Sequence, residues 1–495
     1  MTQKRPSTRA EKLASVAVVV VLALFVWVWR RESTRVFPDD SNIPVVAVLP
    51  FTDLGGDSTN AYLGDGIAES LISALSTVSG LQVAARTSSF TFRGQHVDMH
   101  DVSAKLGATT ALSGTVLRTG DSLRIDATLV QLSDGTTKWQ QTYDRRAADI
   151  FSVQNEIVRA VVIAMTDSTT ANAVQSMPTV TRDLQAYELY MRGRFIQTAR
   201  ADSTVERSIE LFLQATARDS AYALAWSALA DAYIALSVDA DVPAAATLAK
   251  ARAASDKALA LNGKLAEIIT SRGTLLLLQD WSWRSADSVL RRATRLSSRY
   301  TLATRRLGDV YLARGQLDSA LAAYHRAAAL DPMSASAQAS LALVLGARGD
   351  SAASQREMNE ALALDSTQLL ALRLAVRTYF EQRDSAQFFR AYDSYIRVSP
   401  RAGAPLDRLR AAWSEGGPNA VIQVQIGSLS VRSMWVESAM WRAMAKDYDG
   451  VFHDLEFAVR AHSVWLPVAA GLLRDPAITS DPRWAALRAR MGMTK

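Results

Sequence analysis

Residues 307–330, LGDVYLARGQLDSALAAYHRAAAL, and residues 341–364, LALVLGARGDSAASQREMNEALAL, carry one pattern twice, 34 positions apart. The spacing extends in both directions. Leu296, Leu330, Leu364 and Val398 form one column, Leu277, Tyr311, Leu345 and Tyr379 a second, Leu290, Tyr324, Met358 and Tyr392 a third, and Ala293, Ala327 and Ala361 a fourth. Gly315 and Gly349 fall between two helical stretches, and Pro332 and Pro400 follow the second stretch, with Ser366 between them. A helix pair cannot bury its apolar faces alone; small residues let helices approach, large ones fill the gaps, and stacking makes a continuous core. The period therefore predicts an all-α solenoid.

An earlier unit begins Trp226-Ser-Ala-Leu229-Ala230-Asp-Ala-Tyr233 and continues through a longer loop, Asp239-Ala-Asp241-Val-Pro243. Its W-x2-L-[AG]-x2-Y spacing resembles the tetratricopeptide (TPR) repeat. A still earlier pair covers about 183–218, with Ser208, Phe212 and Ala215 in its second helix. The pattern supports five units in a TPR array over 181–400, and a degenerate sixth near 432–462 within a C-terminal capping region, 401–495. Trp435, Trp441, Trp465 and Trp484 suit a cover for the open end of the solenoid. Trp281 and Trp283 suit packing over their own helix pair. A concave groove would present Asp231, Arg305, Asp309, Arg373 and Arg377 from the first helices, where charges clamp a peptide. A solvated helix face explains the same charges.

Upstream, the pattern changes. The apolar run Val45 to Leu49 suits a buried strand, and Pro50 with Gly55-Gly56-Asp57 ends it. A helix follows over Ala61 to Val78, then a short strand, Leu81 to Ala85, and a short helix reaching Leu106 with Asp101 as its cap. Ala111 to Leu117, Leu123 to Leu132 and Thr136 to Tyr143 are separated by Gly120-Asp121 and Asp134-Gly135, which are hairpin signals. Asp149 opens a helix to about Met165. The order βαβαβββα predicts a small α/β domain over 44–166, joined to the repeats by a Ser/Thr/Ala-rich linker, 167–180.

This domain resembles the TolB-like amino-terminal domain that bacteria fuse to TPR repeats. The resemblance rests on Val46-Ala-Val-Leu-Pro-Phe51, Tyr62-Leu-Gly-Asp-Gly-Ile-Ala-Glu69 with Leu71-Ile72, Val83-Ala-Ala-Arg-Thr-Ser-Ser-Phe90, and Phe92-Arg-Gly94. It continues through Leu112-Ser-Gly-Thr-Val116, Leu123-Arg-Ile-Asp-Ala-Thr-Leu129, Trp139, Asp149-Ile-Phe-Ser-Val-Gln154 and Glu156-Ile157. Ala186-Tyr-Glu-Leu-Tyr-Met-Arg-Gly193, Trp465-Leu-Pro and Asp481-Pro-Arg-Trp484 extend it over nearly the whole chain after residue 43. It implies a module that often follows an effector: an adenylate cyclase, a winged-helix regulator or a Ser/Thr kinase. It implies no catalytic residue and places the module outside the cytoplasm.

Ahead of the domain, Leu13 to Trp29 reads LASVAVVVVLALFVWVW, without a charge. Seventeen residues of helix span about 26 Å against a hydrocarbon core of about 30 Å, a gap that Lys12 and Arg30 can close by snorkelling. The rival reading, a cleaved signal peptide, lacks an A-x-A-like site, since the segment ends WRRE. The expectation is a cytoplasmic tail (1–12), a transmembrane anchor (13–30) and a linker (31–43). That makes the chain a single-pass inner-membrane protein, N-terminus in, with its bulk periplasmic. Of the net charge of +6, seven Lys/Arg and two acids within residues 1–35 supply +5. The basic balance thus flanks an apolar segment and does not form a nucleic-acid surface.

There is no Cys, so disulfides and thiolate chemistry are excluded. GxxxxGK[ST], H-E-x-x-H and G-x-S-x-G motifs are absent. His96 and His100 are four apart, as zinc ligands are on a helix, but no third ligand accompanies them. Asp53, Asp57, Asp65 and Glu69 sit near the end of the first strand, where open sheets bind ligands, though turns and helix starts use the same acids. Arg86 and Arg93, flanking Ser88, Ser89 and Phe90, read as strand-edge and loop residues. The expectation is a non-enzymatic scaffold or sensor, without catalytic residues, cofactor or metal, that binds a protein or peptide through its repeats. The alternative is an envelope signalling component whose α/β domain binds a small ligand and regulates a separate membrane effector. A polar, partly closed pocket at 50–70 favours the second; an open groove along 183–400 favours the first.

Overall fold

Val45 to Val48 carry no polar side chain, and such a run is stable as a strand only when both its faces are covered. The computed structural model, which describes residues 43–55, 62–94, 98–166, 181–198, 204–239, 244–400 and 403–493, buries all four in β1 (Val45–Val48). The other strands are β2 (Thr52–Asp53), β3 (Gln82–Val83), β4 (Thr110–Thr119), β5 (Ser122–Gln131) and β6 (Thr137–Arg146). The sheet order is β3-β1-β4-β5-β6, with β2 also on β4. β1 runs parallel to β3 and β4, with Ala47 opposite Ala111; β4, β5 and β6 form the antiparallel meander, with Val116 opposite Ile125 and Ile125 opposite Tyr143. Gly120 and Gly135 take φ of 60° and 73° in its two turns.

Helices α1 (Tyr62–Leu75) and α4 (Ile150–Met165) share a core with Val46 and Val48, while α3 (Met99–Leu106) packs with Val45, Ala47 and Leu49 on the opposite side. Between β3 and α3 lies α2 (Arg86–Phe90), where the sequence reading had a strand edge and loop. The α3 cap is Asp98, which accepts from the His100 N–H at 2.8 Å, and not Asp101.

From residue 184 onward the structure is helical. The helices pack in pairs: α5 (Leu184–Thr198) with α6 (Thr204–Arg218), α7 (Ala223–Asp239) with α8 (Ala244–Leu261), α9 (Ala266–Leu278) with α10 (Trp283–Leu296), α11 (Thr301–Ala313) with α12 (Leu317–Leu330), α13 (Ala335–Ala347) with α14 (Ser351–Leu364), and α15 (Leu369–Glu381) with α16 (Ser385–Val398). These are six hairpins where the sequence supported five. Then come α17 (Leu406–Val431), broken at Gly417-Pro418, the pair α18 (Trp435–Met444) and α19 (Tyr448–Arg460), and the short α20 (Leu466–Leu472), α21 (Pro476–Thr479) and α22 (Pro482–Arg490).

The periodic columns are the core: Leu290, Tyr324, Met358 and Tyr392 are buried, as are Ala293, Ala327 and Ala361. Helices within a pair approach closely enough that a Cβ on Gly308 would meet the Tyr324 ring at 2.5 Å. The Leu296 column behaves differently. It lies at helix ends, and Leu296 itself is 41% exposed. The turns inside successive pairs also obey the period: Trp281, Gly315, Gly349 and Arg383, each 34 apart, all have positive φ.

The expectation of a single-pass membrane protein is corrected here. Among the described residues no helix is long and apolar enough to cross a membrane; most are short repeat helices, and the 26-residue α17 carries charges and is broken at Gly417-Pro418. The segment 13–30 on which the expectation rested lies outside the described residues, as do 1–12, the linkers 31–42 and 167–180, Asp57 and His96.

Candidate functional site

The first helices of successive hairpins face a common concave side. Tyr190 and Arg194 come from α5, Asp231 from α7, Glu267 from α9, Arg305, Arg306 and Asp309 from α11, and Leu369 from α15. The α/β domain covers one side of this surface with Glu69 of α1 and residues 83–87, and residues 464–468 cover another. The space between them is a partly open cavity of about 560 Å³.

The cover is fixed in place because the domain and the first hairpin share one hydrophobic core, in which Val46, Leu71 and Val158 are continuous with Tyr187, Phe212 and Tyr222. Tyr187 Oη lies 2.7 Å from Ser70 Oγ and accepts from Gln154 Nε2 at 2.5 Å. A second seam lies farther along the array. The Ser88 N–H and hydroxyl donate to Asp331 Oδ1 at 3.0 and 2.5 Å, and the Met333 N–H donates to Ser88 Oγ at 3.1 Å. Arg299 Nη2 reaches the Leu106 carbonyl at 3.1 Å.

Charges in the cavity fall into two groups. Glu69 accepts from Arg86 Nε at 3.0 Å and from Arg194 Nε at 2.5 Å. Burial disfavours its ionisation, but the two guanidiniums outweigh burial and hold the carboxyl below its usual range. Asp231 and Glu267 are differently placed. Asp231 accepts from Ser271 Oγ at 2.6 Å and Glu267 from Ser73 Oγ at 3.4 Å, and neither forms an ion pair among the described residues. Burial pushes the Asp231 carboxyl up to about 6, against Ser271, Arg194 and Arg306, and raises Glu267 as well. Asp331 is raised by burial too, despite the Ser88 hydrogen bonds. On α11, Asp309 accepts from Tyr324 Oη at 2.7 Å and from Arg306 Nη1 at 3.0 Å.

Of the five groove residues expected from sequence, the structure brings Asp231, Arg305 and Asp309 to the cavity. Arg373 stands at its rim, 3.9 Å over the Trp465 ring and 3.0 Å from Glu437. Arg377 lies apart, paired with Glu381 at 2.8 Å on an exposed face. Among the described residues, the acids near the first strand do not form a site of their own. Asp53 accepts from the Gly55 N–H at 3.0 Å, and Asp65 is paired with Arg93 at 3.0 Å, although burial raises its carboxyl; only Glu69 enters the cavity. Sequence reasoning missed Arg86, Arg194, Glu267 and Asp331. Charged residues within first helices of the repeats were an available signal for Arg194 and Glu267; no local signal marked the contact of Ser88 with a residue 243 positions away. Among the described residues no group of three or more His, Asp or Glu is arranged to hold a metal.

The C-terminal tryptophans differ from expectation as well. They do not simply cover the last repeat: the C-terminal segment folds back over the middle of the array. His462 stacks on Trp281 with centroids 3.7 Å apart, and Trp283 Nε1 donates to the Met491 carbonyl at 2.7 Å. Trp441 packs edge-on to Phe380, 5.0 Å away, and Trp465 faces the groove.

The TPR repeat family matches residues 308–349. "Putative adenylate cyclase 3" of Rhizobium meliloti (strain 1021) is 40% identical over 152 residues, which is 30% of this chain and 26% of that protein, so the chain spans about a quarter of the curated relative it matches. Among solved structures, YrrB, described as a TPR protein with an unusual peptide-binding site, is 20% identical with a TM-score of 0.25, over 38% of this chain and 91% of that one. Pseudomonas aeruginosa pilF is 16% identical with a TM-score of 0.33, over 47% of this chain and 98% of that one. The family match and the repeated hairpins together define a TPR-type protein-interaction scaffold.

Proposed function

We propose that this chain is a regulatory interaction module that takes a short peptide segment into the cavity between its repeats and its α/β domain. The observation that carries this reading is the closure of the groove. A space of about 560 Å³ falls in the range of roughly 300–1,000 Å³ of ligand pockets and is far too small for a folded partner. Asp231 and Glu267, half-buried and without an ion-pair partner among the described residues, supply polar demand in its lining, and Arg305 and Asp309 line the α11 side. The resemblance of 44–166 to the TolB-like domain, and the stretch shared with a protein named as an adenylate cyclase, support a place in signalling. In that reading occupancy of the cavity is felt at the Ser88–Asp331 seam and passed to a partner effector. A small polar molecule in the same cavity is the second reading, favoured by the same closure.

The test is a photo-crosslinking amino acid placed at Arg305, inside the groove, and separately at Arg348, on the exposed rim where it pairs with Asp318. The expected result is a peptide or protein adduct at 305 that disappears in the Asp231→Arg variant and is absent at 348. Equal labelling at both positions, or labelling indifferent to Asp231→Arg, rejects the groove as the binding surface.

A further inference from the structure

The part of the chain after α19 does not follow the repeat period, yet it occupies the surface that the repeats build. His462, with φ of 52°, turns the chain out of α19. Val464, Trp465, Pro467 and Val468 then form a wall of the cavity. Arg373 of α15 lies on the Trp465 ring at 3.9 Å, a cation–π geometry. Helix α20 lies along α11 so tightly that a Cβ on Gly471 would meet the Leu312 carbonyl oxygen at 2.5 Å, and Arg474 Nη2 reaches the Gly315 carbonyl at 3.4 Å. Leu466, Ala469 and Leu473 are buried.

A helix of seven residues is far below the roughly 12–15 at which isolated helices become stable in water, so α20 owes its form to the surface beneath it. That is how a short peptide ligand behaves. We propose that residues 464–474 are a built-in pseudo-ligand: they hold in cis the groove site at α11 and α15 that receives, from a partner, a peptide with an aromatic residue followed within one turn by small aliphatic residues. The aromatic ring seats under Arg373, and a small residue passes Leu312 as Gly471 does. Tethering gives the cis segment an effective concentration on the order of millimolar, so a partner peptide must compete with it and binds with reduced apparent affinity. The proposal rests on the reading of the groove as a peptide site and specifies what that site prefers.

The experiment uses the full chain and a fluorescein-labelled peptide of residues 462–475, with the same peptide carrying Ala for Trp as control. Trp465→Ala removes the cis anchor, and Gly471→Val independently wedges α20 off α11. Both variants are expected to bind the labelled peptide at least tenfold more tightly than the wild type, to ignore the control peptide, and to lose binding when Arg373→Ala is added. Hydrogen exchange over residues 462–475 is followed in parallel. If the segment is released in either variant and the peptide still binds no better, the pseudo-ligand idea is overturned. If neither variant releases it, the segment is a fixed wall and the idea is equally overturned. Photo-crosslinking at Arg305 that persists in either of these cases leaves the peptide groove standing, so the two failures are told apart.

Discussion

Asp231 is where the cavity shows its electrostatic cost. Its carboxyl is pushed up to about 6 by burial, while an unfolded Asp titrates near 3.8. A raised native value means that the folded state holds the proton more tightly. The favourable contribution is therefore full at pH below 3.8, declines as pH rises to about 6, and is gone above it. Two units at about 1.4 kcal/mol each set an upper scale of about 3 kcal/mol. Asp231→Asn keeps an acceptor for Ser271 and removes the titration. The chain should gain a few degrees in melting temperature at pH 8, with the gain shrinking steadily below pH 6. A gain that is the same at pH 8 and pH 4.5 means that the buried charge is not the cause. Asp231 was legible in the sequence as a groove charge, because it lies within the Trp226-to-Tyr233 pattern. Its raised carboxyl was not, because that comes from burial between stacked helices, which outweighs the opposing Ser271 and Arg194 that the same stacking brings near.

Among the elements, the turns show most clearly what the period encodes. The slot at 281, 315, 349 and 383 is left-handed in all four pairs, and glycine fills only two of them. At 316, 350 and 384 the backbone N–H returns to residue 311, 345 or 379 at 2.8–3.0 Å, so the turn is the same with Gly or Arg in the slot, whereas at Trp281 the Ser282 N–H returns to Leu276 instead. A non-glycine residue in that region costs roughly 1–2 kcal/mol, partly offset by the entropy that glycine loses on folding. Arg383→Gly should therefore stabilise the array by about 0.5–1 kcal/mol, read as a higher urea midpoint at unchanged m-value. A lower midpoint rules out strain at Arg383. Trp281 is a different case, because its ring stacks on His462 and its loss removes that contact. The positions of the turns were thus readable from Gly315 and Gly349, and the helix pairs from the buried columns. The Leu296 column misled, because a residue at a helix end keeps the period without reaching the core. Helix α2 was hidden for another reason: Arg86 to Phe90 holds its shape through Asp331, in a distant turn.

At the scale of the whole molecule, the α/β domain and the repeats are not independent bodies, since the core beneath the sheet runs without a break into α5, α6 and α7. Phe212 is the test of that continuity. It is fully buried, its ring is 6.1 Å from that of Tyr190, and it fills the space that Gly193 leaves open. Phe212→Ala should cost about 3–5 kcal/mol. If the core is one cooperative unit, the loss appears as weakened hydrogen-exchange protection in β4 and β5 as well as in α5 and α6. Met358→Ala, in the column between α14 and its neighbours, should cost about 2–5 kcal/mol and leave the sheet amides unchanged. The contrast matters for function, because a signal that starts in the cavity reaches the sheet through this shared core and through polar contacts such as the Ser88–Asp331 seam and the Arg118–Glu188 pair. Sheet amides that keep full protection in Phe212→Ala would show that the domain folds apart from the repeats, and coupling would then rest on the polar contacts between them, the Ser88–Asp331 seam included.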